Sequence, residues 1–441
     1  MAEQTQRQYP SPGYAWYMVI LLTLAYVLSF VDRYILGLLI EPIKADLGLT
    51  DTQIGYLLGL AFSLFYATMG LPLGYLADRK RRTFLVAAGI AVWSAATVAS
   101  GMAKNFFHMF IARMSVGAGE ATLSPCTMSM ISDSFPREKR GRPIAFYTAA
   151  LSVGAGIASL LSAGILNWAK TVENISVPLL GQVAPWQLTF IVVGIPGLLL
   201  APLILTLREP PRQRTVGSTV APKFSVMLAH VGARWKTYAS FIYFVCVMTI
   251  VAYSQGWYAP MFSRTWGWDA QTYATVNAFV LLAVGPLTVN VAGWLNDKFY
   301  ARGRKDAPLL IIMIGACILV PTGIIAPLMP SPVMAFVVIA INTCGIALAS
   351  ATGVTALLNI TPSEIRGQTV ALYYMTMSLA GLLLGPGTVG YLSDNVFGNE
   401  NLNYAVAAVP AIFGIPALLL IPYARRSYLA EVAKQESEGA A

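Results

Sequence analysis

Apolar residues gather along this chain in long runs separated by short polar stretches. Twelve runs reach the roughly 20 residues that a helix needs to cross a bilayer. They cover 15–40, 53–77, 83–103, 106–131, 143–166, 186–207, 238–262, 271–296, 308–328, 332–358, 368–392 and 403–423. The pattern predicts an all-α membrane protein of twelve transmembrane helices. The boundaries of the fifth, tenth and eleventh runs are blurred where Gly and Pro interrupt the pattern, and membrane helices tolerate these residues because neighbouring helices and water satisfy the freed backbone groups. Composition agrees: 56% of 441 residues are hydrophobic, 11% are charged and the mean hydropathy is +0.64. A soluble domain carries about 25% charged residues. The polar stretch before Tyr14 lacks a small-residue cleavage site after a short apolar core, so the first run is expected to insert the chain without a removable signal peptide.

The net charge of +9 invites a nucleic-acid reading, but its placement answers that. With the N-terminus inside, 23 Lys and Arg fall in inside segments and only Lys44, Lys104, Lys170 and Arg264 outside. This is the positive-inside bias, which predicts both termini in the cytoplasm and no nucleic-acid partner. The four cysteines, Cys126, Cys246, Cys317 and Cys344, all lie in apolar runs and read as buried free thiols. His108 and His230 have no partner at metal-ligand spacing, and no phosphate-cradling loop is present. No metal, no cofactor and no direct drive by ATP are expected.

A linker divides the runs six and six. Arg208-Glu209-Pro210-Pro211-Arg212 opens a Gly/Ser/Thr/Pro stretch to Pro222. Phe224, Met227, Leu228 and Val231 then follow at helical spacing, as in a short amphipathic helix on the inner surface. The expected organisation is an N-terminal bundle over 1–207, a cytoplasmic linker over 208–237, a C-terminal bundle over 238–423 and a cytoplasmic tail over 424–441. The halves repeat. Gly74-Tyr75-Leu76-Ala77-Asp78-Arg79 matches Gly293-Trp294-Leu295-Asn296-Asp297-Lys298, and Pro136 to Gly141 matches Pro362 to Gly367. Parallel six-span halves point to rocking around a midplane cavity.

Gly74-x-x-x-Asp78-Arg79, followed by Arg82, resembles the loop motif of the major facilitator superfamily, with its second-half counterpart at Gly293. The Gly expected before the later Arg is Arg81 here. A narrower resemblance is to the spinster family of lipid transporters. It rests on Val31-Asp32-Arg33-Tyr34, on Asp46-Leu47-Gly48-Leu49-Thr50-Asp51-Thr52-Gln53, on Arg113-Met114-Ser115-Val116-Gly117-Ala118-Gly119-Glu120-Ala121, and on Asp133-Ser134-Phe135-Pro136 with Arg140. The resemblance implies the major facilitator fold, two pseudo-symmetric six-helix bundles, with spans one, four, seven and ten lining a central cavity. It also implies lysophospholipid- or sphingolipid-like substrates.

Four charges lie well inside the runs: Asp32, Arg33, Arg113 and Glu120, all in the first half. A charge at the bilayer centre costs roughly 3 to over 10 kcal/mol, so such residues face a bundle interior and carry function. Burial raises a carboxylate's pKa and a nearby guanidinium lowers it, so a changed partner or water supply can switch its state. Asp32 and Glu120 are therefore read as proton-coupling sites, Asp32 pairing with Arg33 or Arg113. The two arginines are candidate anchors for an anionic head group, since Arg binds phosphate or carboxylate bidentately. The alternative is a static ion-pair network, which buys little stability.

In the second half the candidate cavity residues are uncharged: Tyr253, Trp257, Tyr258, Asn277, Asn342, Tyr373 and Met377. An apolar half facing a charged one suits an amphipathic substrate. The family resemblance implies an inner gate at Asp78, Arg79, Arg140, Asp297, Lys298 and Arg366. The reading is a proton-coupled secondary transporter of a lipid-like substrate, not an enzyme. It is expected to be a monomer surrounded by membrane lipids in a plasma or inner membrane. The alternative is a carrier of a small soluble organic anion or drug with the same machinery.

Overall fold

The computed structural model describes residues 9–136, 139–171, 175–177, 181–212, 224–362 and 365–439. Its helices are α1 (Pro12–Leu38), α2 (Ile40–Leu47), α3 (Asp51–Leu58), α4 (Leu60–Arg79), α5 (Arg82–Ser100), α6 (Phe106–Glu120), α7 (Leu123–Ser134), α8 (Gly141–Thr171) and α9 (Pro185–Leu205). They continue as α10 (Phe224–Ala233), α11 (Trp235–Ser254), α12 (Tyr258–Trp266), α13 (Ala270–Ala301), α14 (Ala307–Ile325), α15 (Pro332–Asn359), α16 (Arg366–Leu392), α17 (Leu402–Val409) and α18 (Ile415–Gly439). One small hairpin, β1 (Ile175–Val177) with β2 (Gly181–Val183), places Ile175 opposite Val183.

Among the described residues, eleven helical runs are long and apolar enough to cross a membrane. The twelfth, expected over 106–131, is present but broken. α6 ends at Glu120, and α7 restarts at Leu123, so neither piece spans alone. The runs whose boundaries Gly and Pro blur, the fifth, tenth and eleventh, are continuous as α8, α15 and α16. Breaks occur instead in span two at Gly59, in span four at Ala121–Thr122, in span seven at Gln255–Trp257 and in span twelve at Pro410–Gly414. Three of these breaks stand at a proline or about one turn before one, Pro125, Pro260 and Pro410, where the missing N–H loosens the helix. Pro72, Pro196, Pro286, Pro321 and Pro386, by contrast, lie inside unbroken helices.

The chain forms two compact units, Met1–Leu49 with Ala61–Gly217, and Thr50–Leu60 with Ser218–Ala441. In unit 1, α1 packs along α8 and α5 packs on both α6 and α9. In unit 2, α11 packs along α16 and α14 on α15. The internal repeat is visible at atomic scale. A Cβ on Gly119 would stand 2.7 Å from the Gly89 carbonyl oxygen and 2.8 Å from the Trp93 nitrogen. One on Gly345 would stand 2.8 Å from the Gly315 oxygen and 2.8 Å from the Leu319 nitrogen. Each of these three pairs of positions is 226 residues apart. Small residues at such crossings let membrane helices meet backbone to backbone, where dispersion and polar contacts replace the missing hydrophobic drive.

α10 departs from its expected face. Met227 is fully buried and Val231 packs on the unit 2 core, whereas Phe224 and Leu228 are exposed. That core gathers Tyr238, Phe241 and Phe244 of α11 with Ile312 of α14 and Tyr428 of α18. Its polar tips are satisfied, the Tyr238 hydroxyl donating to the Ile360 carbonyl at 2.8 Å and that of Tyr428 to Ala356 at 2.9 Å.

Candidate functional site

The four intramembrane charges of unit 1 meet, in a crossed arrangement. Asp32 and Arg33 are neighbours on α1, so their side chains point about 100° apart and cannot face each other. Asp32 Oδ1 instead accepts from Arg113 Nη1 of α6 at 3.2 Å. Arg33 reaches Glu120, two turns further along α6, donating from Nε at 2.7 Å and also from Nη2. Asp32, Arg113 and Glu120 are buried, while the Arg33 side chain keeps 21% of its surface open. Gly117 lets α6 pack closely on α4, since a Cβ there would be 2.3 Å from the Phe62 carbonyl oxygen.

Two ion pairs do not satisfy all of these groups. Among the described residues, Asp32 Oδ2, Glu120 Oε1 and Arg113 Nε are buried without a hydrogen-bond partner, as is Thr127 Oγ1 on α7. A buried unmatched polar atom costs about 1–3 kcal/mol, more when charged, so its retention calls for an explanation such as a proton or a ligand. Aromatic rings surround the open side of Arg33. Its guanidinium carbon stands 4.6 Å from the Phe62 ring centroid, 5.1 Å from Tyr66 and 5.8 Å from Phe30. Tyr26 stacks on Tyr147 at 4.9 Å, and the Tyr147 hydroxyl lies 3.4 Å from Ser124 Oγ. These aromatics escape a sequence reading, since each alone looks like ordinary packing.

In unit 2 the expected cavity residues are mostly tied into the fold. Asn342 is fully buried, donating to the Leu319 carbonyl and to Thr322 Oγ1 at 2.9 Å each, while its own oxygen accepts from Gln255 at 2.7 Å. Trp257 is buried and donates to the Pro386 carbonyl at 3.0 Å. Tyr258 and Asn277 are buried, Tyr253 is half-buried, and Tyr373 stacks on Phe241 at 6.0 Å with Met377 packed on the same core.

Two of the residues expected at the inner gate bond to backbone close by in the chain. Arg140 donates to the Phe135 carbonyl at 2.8 Å and Arg366 to the Thr361 carbonyl at 3.1 Å, each five residues back along the chain. Lys298 lies 4.4 Å from the Trp294 ring, and Asp297 is exposed. Arg79 ends α4, and the side chain of Asp78 lies outside the described residues.

Two further clusters join residues that the sequence marked only as parts of motifs, Arg82 and Asp133 in one and Asp51 in the other, to partners it did not mark. In unit 1, Arg82 is almost fully buried, donating to Glu209 Oε1 at 2.7 Å, to Ser129 at 2.7 Å, to the Pro210 carbonyl at 2.9 Å and to Asp133. Burial opposes a charge on Glu209, but the bonds from Arg82 and the Thr83 amide outweigh it and hold the carboxyl below its ordinary pKa. In unit 2, fully buried Asp51 accepts from Arg264 at 2.6 and 3.0 Å and from Ser393 at 2.6 Å. Asp394 accepts from the Asp51 and Thr52 amides at 3.1 and 2.6 Å, capping α3. Thr50 and Gln53 complete a capping box of α3's own. Gly55, Gly59 and Gly390 let α3 lie directly on α16. Together these contacts explain why Thr50–Leu60 groups with unit 2.

Two repeated units of membrane-crossing helices, with ionisable side chains buried in one of them, define a membrane transporter rather than an enzyme. The chain belongs to the Major Facilitator Superfamily, whose family model matches residues 22–382 and 241–439. It resembles the spinster proteins: the crystal structure of a bacterial homolog of the human lysosomal transporter spinster superposes with a TM-score of 0.79 at 26% identity, covering 96% of this chain and 98% of that one. An MFS-type efflux pump of Mycolicibacterium smegmatis is 26% identical over 87% of this chain and 86% of its own length. A probable L-galactonate transporter of Escherichia coli is 34% identical over 42% of this chain and 37% of its own length.

Proposed function

We propose that this integral membrane protein carries an amphipathic, lipid-like anion of the lysophospholipid or sphingolipid class, in exchange or symport with protons, by alternating access. The observation that carries this reading is the crossed pair Asp32–Arg113 and Arg33–Glu120, with one oxygen of each carboxylate buried and unpartnered. A proton taken up on Asp32 or Glu120 neutralises that carboxylate and frees its arginine for the head group of a substrate. Loss of the proton restores the ion pair and expels the head group. Carboxylate and substrate head group thus compete for the same two guanidinium groups, and the number of buried unpaired charges stays low throughout.

Arg33 is the first point of contact in this scheme, since it is the most open of the four and its aromatic surround accepts an apolar tail. The likeness to a bacterial spinster homolog favours a lipid. The Asp51–Arg264–Asp394 cluster keeps Thr50–Leu60 on unit 2 in one state of the cycle, and the loops at Asp78, Arg79, Arg140, Asp297, Lys298 and Arg366 act at the other end. By the positive-inside count, those loops and both termini face the cytoplasm of a cell or inner membrane.

A second reading, transport of a small hydroxylated acid or drug, draws on the Gln255–Asn342 amide pair and on the efflux and L-galactonate relatives. Flux into vesicles holding the purified protein tests both. Uptake of a lysophospholipid that rises with an imposed pH gradient and is not displaced by a sugar acid supports the lipid reading. Gradient-driven sugar-acid uptake without lysolipid competition replaces it, and flux indifferent to pH removes proton coupling.

A further inference from the structure

Where α10 meets α11, unit 2 carries an exposed apolar stripe beside a basic hollow, and no part of the transport scheme uses either. Phe224, Leu228 and Trp235 are 54%, 48% and 62% exposed. Phe224 and Leu228 fall within about 40° of each other on α10, and Trp235 opens α11 just past the turn at Arg234. Met227 and Val231 anchor the same segment to the core, so the stripe is presented on a fixed support. Trp235 is also the first residue of a membrane-crossing run, the level at which aromatic side chains favour the boundary between hydrocarbon and head groups.

Next to Trp235 lies an open hollow of about 470 Å³. Arg234, Lys236 and Thr237 line it from the start of α11, and Ser427, Glu431 and Lys434 from α18. Three cations face one carboxylate, and Glu431 holds Arg234 at 2.6 Å, which fixes the guanidinium in place. Thr237 and Ser427 share a hydrogen bond of 2.5 Å and set two hydroxyls on the floor. The balance of charge is positive, and the walls belong to two different helices of the same unit.

From this juxtaposition we propose that the hollow binds the phosphate of an anionic phospholipid from the adjoining leaflet, with an acyl chain lying along Phe224, Leu228 and Trp235. Basic pockets between membrane helices beside an amphipathic segment suit such head groups, because charge-assisted hydrogen bonds and apolar burial act on one molecule. The lipid is a resident companion and not cargo. The proposal is independent of what the protein transports.

The test uses the full-length protein in neutral detergent, with bound phosphatidylglycerol counted by native mass spectrometry. Phosphatidylcholine of the same chains and inorganic phosphate serve as the other arms. Phosphatidylglycerol is expected to bind at least tenfold more tightly than phosphatidylcholine, with no retention of phosphate. The double variant Lys236→Gln/Lys434→Gln should lose at least tenfold in phosphatidylglycerol affinity, and Trp235→Ala a smaller part. Lys434→Glu, at an exposed position, gives the same loss by charge reversal if the double variant is unstable. Lys104→Gln, at an exposed position of unit 1 outside both sites, should bind as the parent does, which separates this site from general surface charge. Undiminished phosphatidylglycerol binding in the lysine variants, equal binding of phosphatidylcholine, or retention of inorganic phosphate would each overturn the proposal.

Discussion

Units 1 and 2 share one scaffold and differ in what they bury. Their helix crossings are superimposable in kind, Gly89 against Gly119 in one and Gly315 against Gly345 in the other. At the same spacing of 226, the positions of Arg113 and Glu120 are taken in unit 2 by Ile339 and Ile346. Unit 1 breaks its helix directly after Glu120, where unit 2 runs α15 unbroken through Asn359. A duplicated fold has therefore kept its packing in both copies while concentrating intramembrane charge in one. The second copy answers with amide bonds that its own backbone and side chains satisfy.

The sharpest way to break this comparison is to remove charge from one side only. Asp32→Asn should cost proton-driven uptake on the order of 100-fold, the scale of a lost proton-transfer group. Ile339→Gln, at the unit 2 counterpart of Asp32's partner Arg113, should leave uptake close to that of the parent. Initial rates in vesicles under a pH gradient, with size-exclusion profiles to show folded protein, measure both. Retained gradient-driven uptake in Asp32→Asn would contradict the coupling role.

Next in size is the buried guanidinium of unit 1 against its more open counterpart. Arg82→Gln strands Asp133 and Glu209 in a nearly closed site and should destabilise by about 3–5 kcal/mol. In unit 2, Asp306 pairs with Arg425 at 2.7 Å, but that arginine is 44% exposed. Asp306→Asn should accordingly cost about 1 kcal/mol or less. Thermal unfolding of the two variants ranks them. Gly119→Ala and Gly345→Ala should each lose about 1–3 kcal/mol through overpacking. Unequal losses at these two crossings would mean that the copies do not share their packing.

The smallest effect is acid sensitivity. Glu209 and Asp306 both have folded pKa values held below their ordinary ones: burial raises each, and bonds from Arg82 or from Arg425 and Arg304 outweigh it. A depressed carboxylate pKa contributes stability above the unfolded value of about 4 and loses it as pH falls through the folded value. Unfolding midpoints should stay level above about pH 5 and drop below about pH 4. Glu209→Gln should flatten part of that drop.

Much of this architecture is legible without coordinates. Hydropathy located every span, and the duplicated loops announced two halves before any superposition. The four intramembrane charges stood out because hydrocarbon makes them costly. Partner choice was not legible. Arg33 pairs with Glu120, 87 residues away, rather than with the adjacent Asp32, because helix geometry turns the side chains of neighbouring residues apart. Asp51, Arg264 and Asp394 are each ordinary polar residues in loops or helix ends until α3 lies on α16.

What the amino-acid sequence determined by itself is the number of spans, their pairing into two copies and the residues that pay to be charged in lipid. Those are properties of composition and local period, and they need no partner. Which charge meets which, where spans two, four, seven and twelve break, and which oxygen atoms are left unmatched were decided only in the tertiary structure. The physical reason is that hydrogen bonds reach about 3 Å, so they depend on helix rotation and crossing depth, which no single segment specifies.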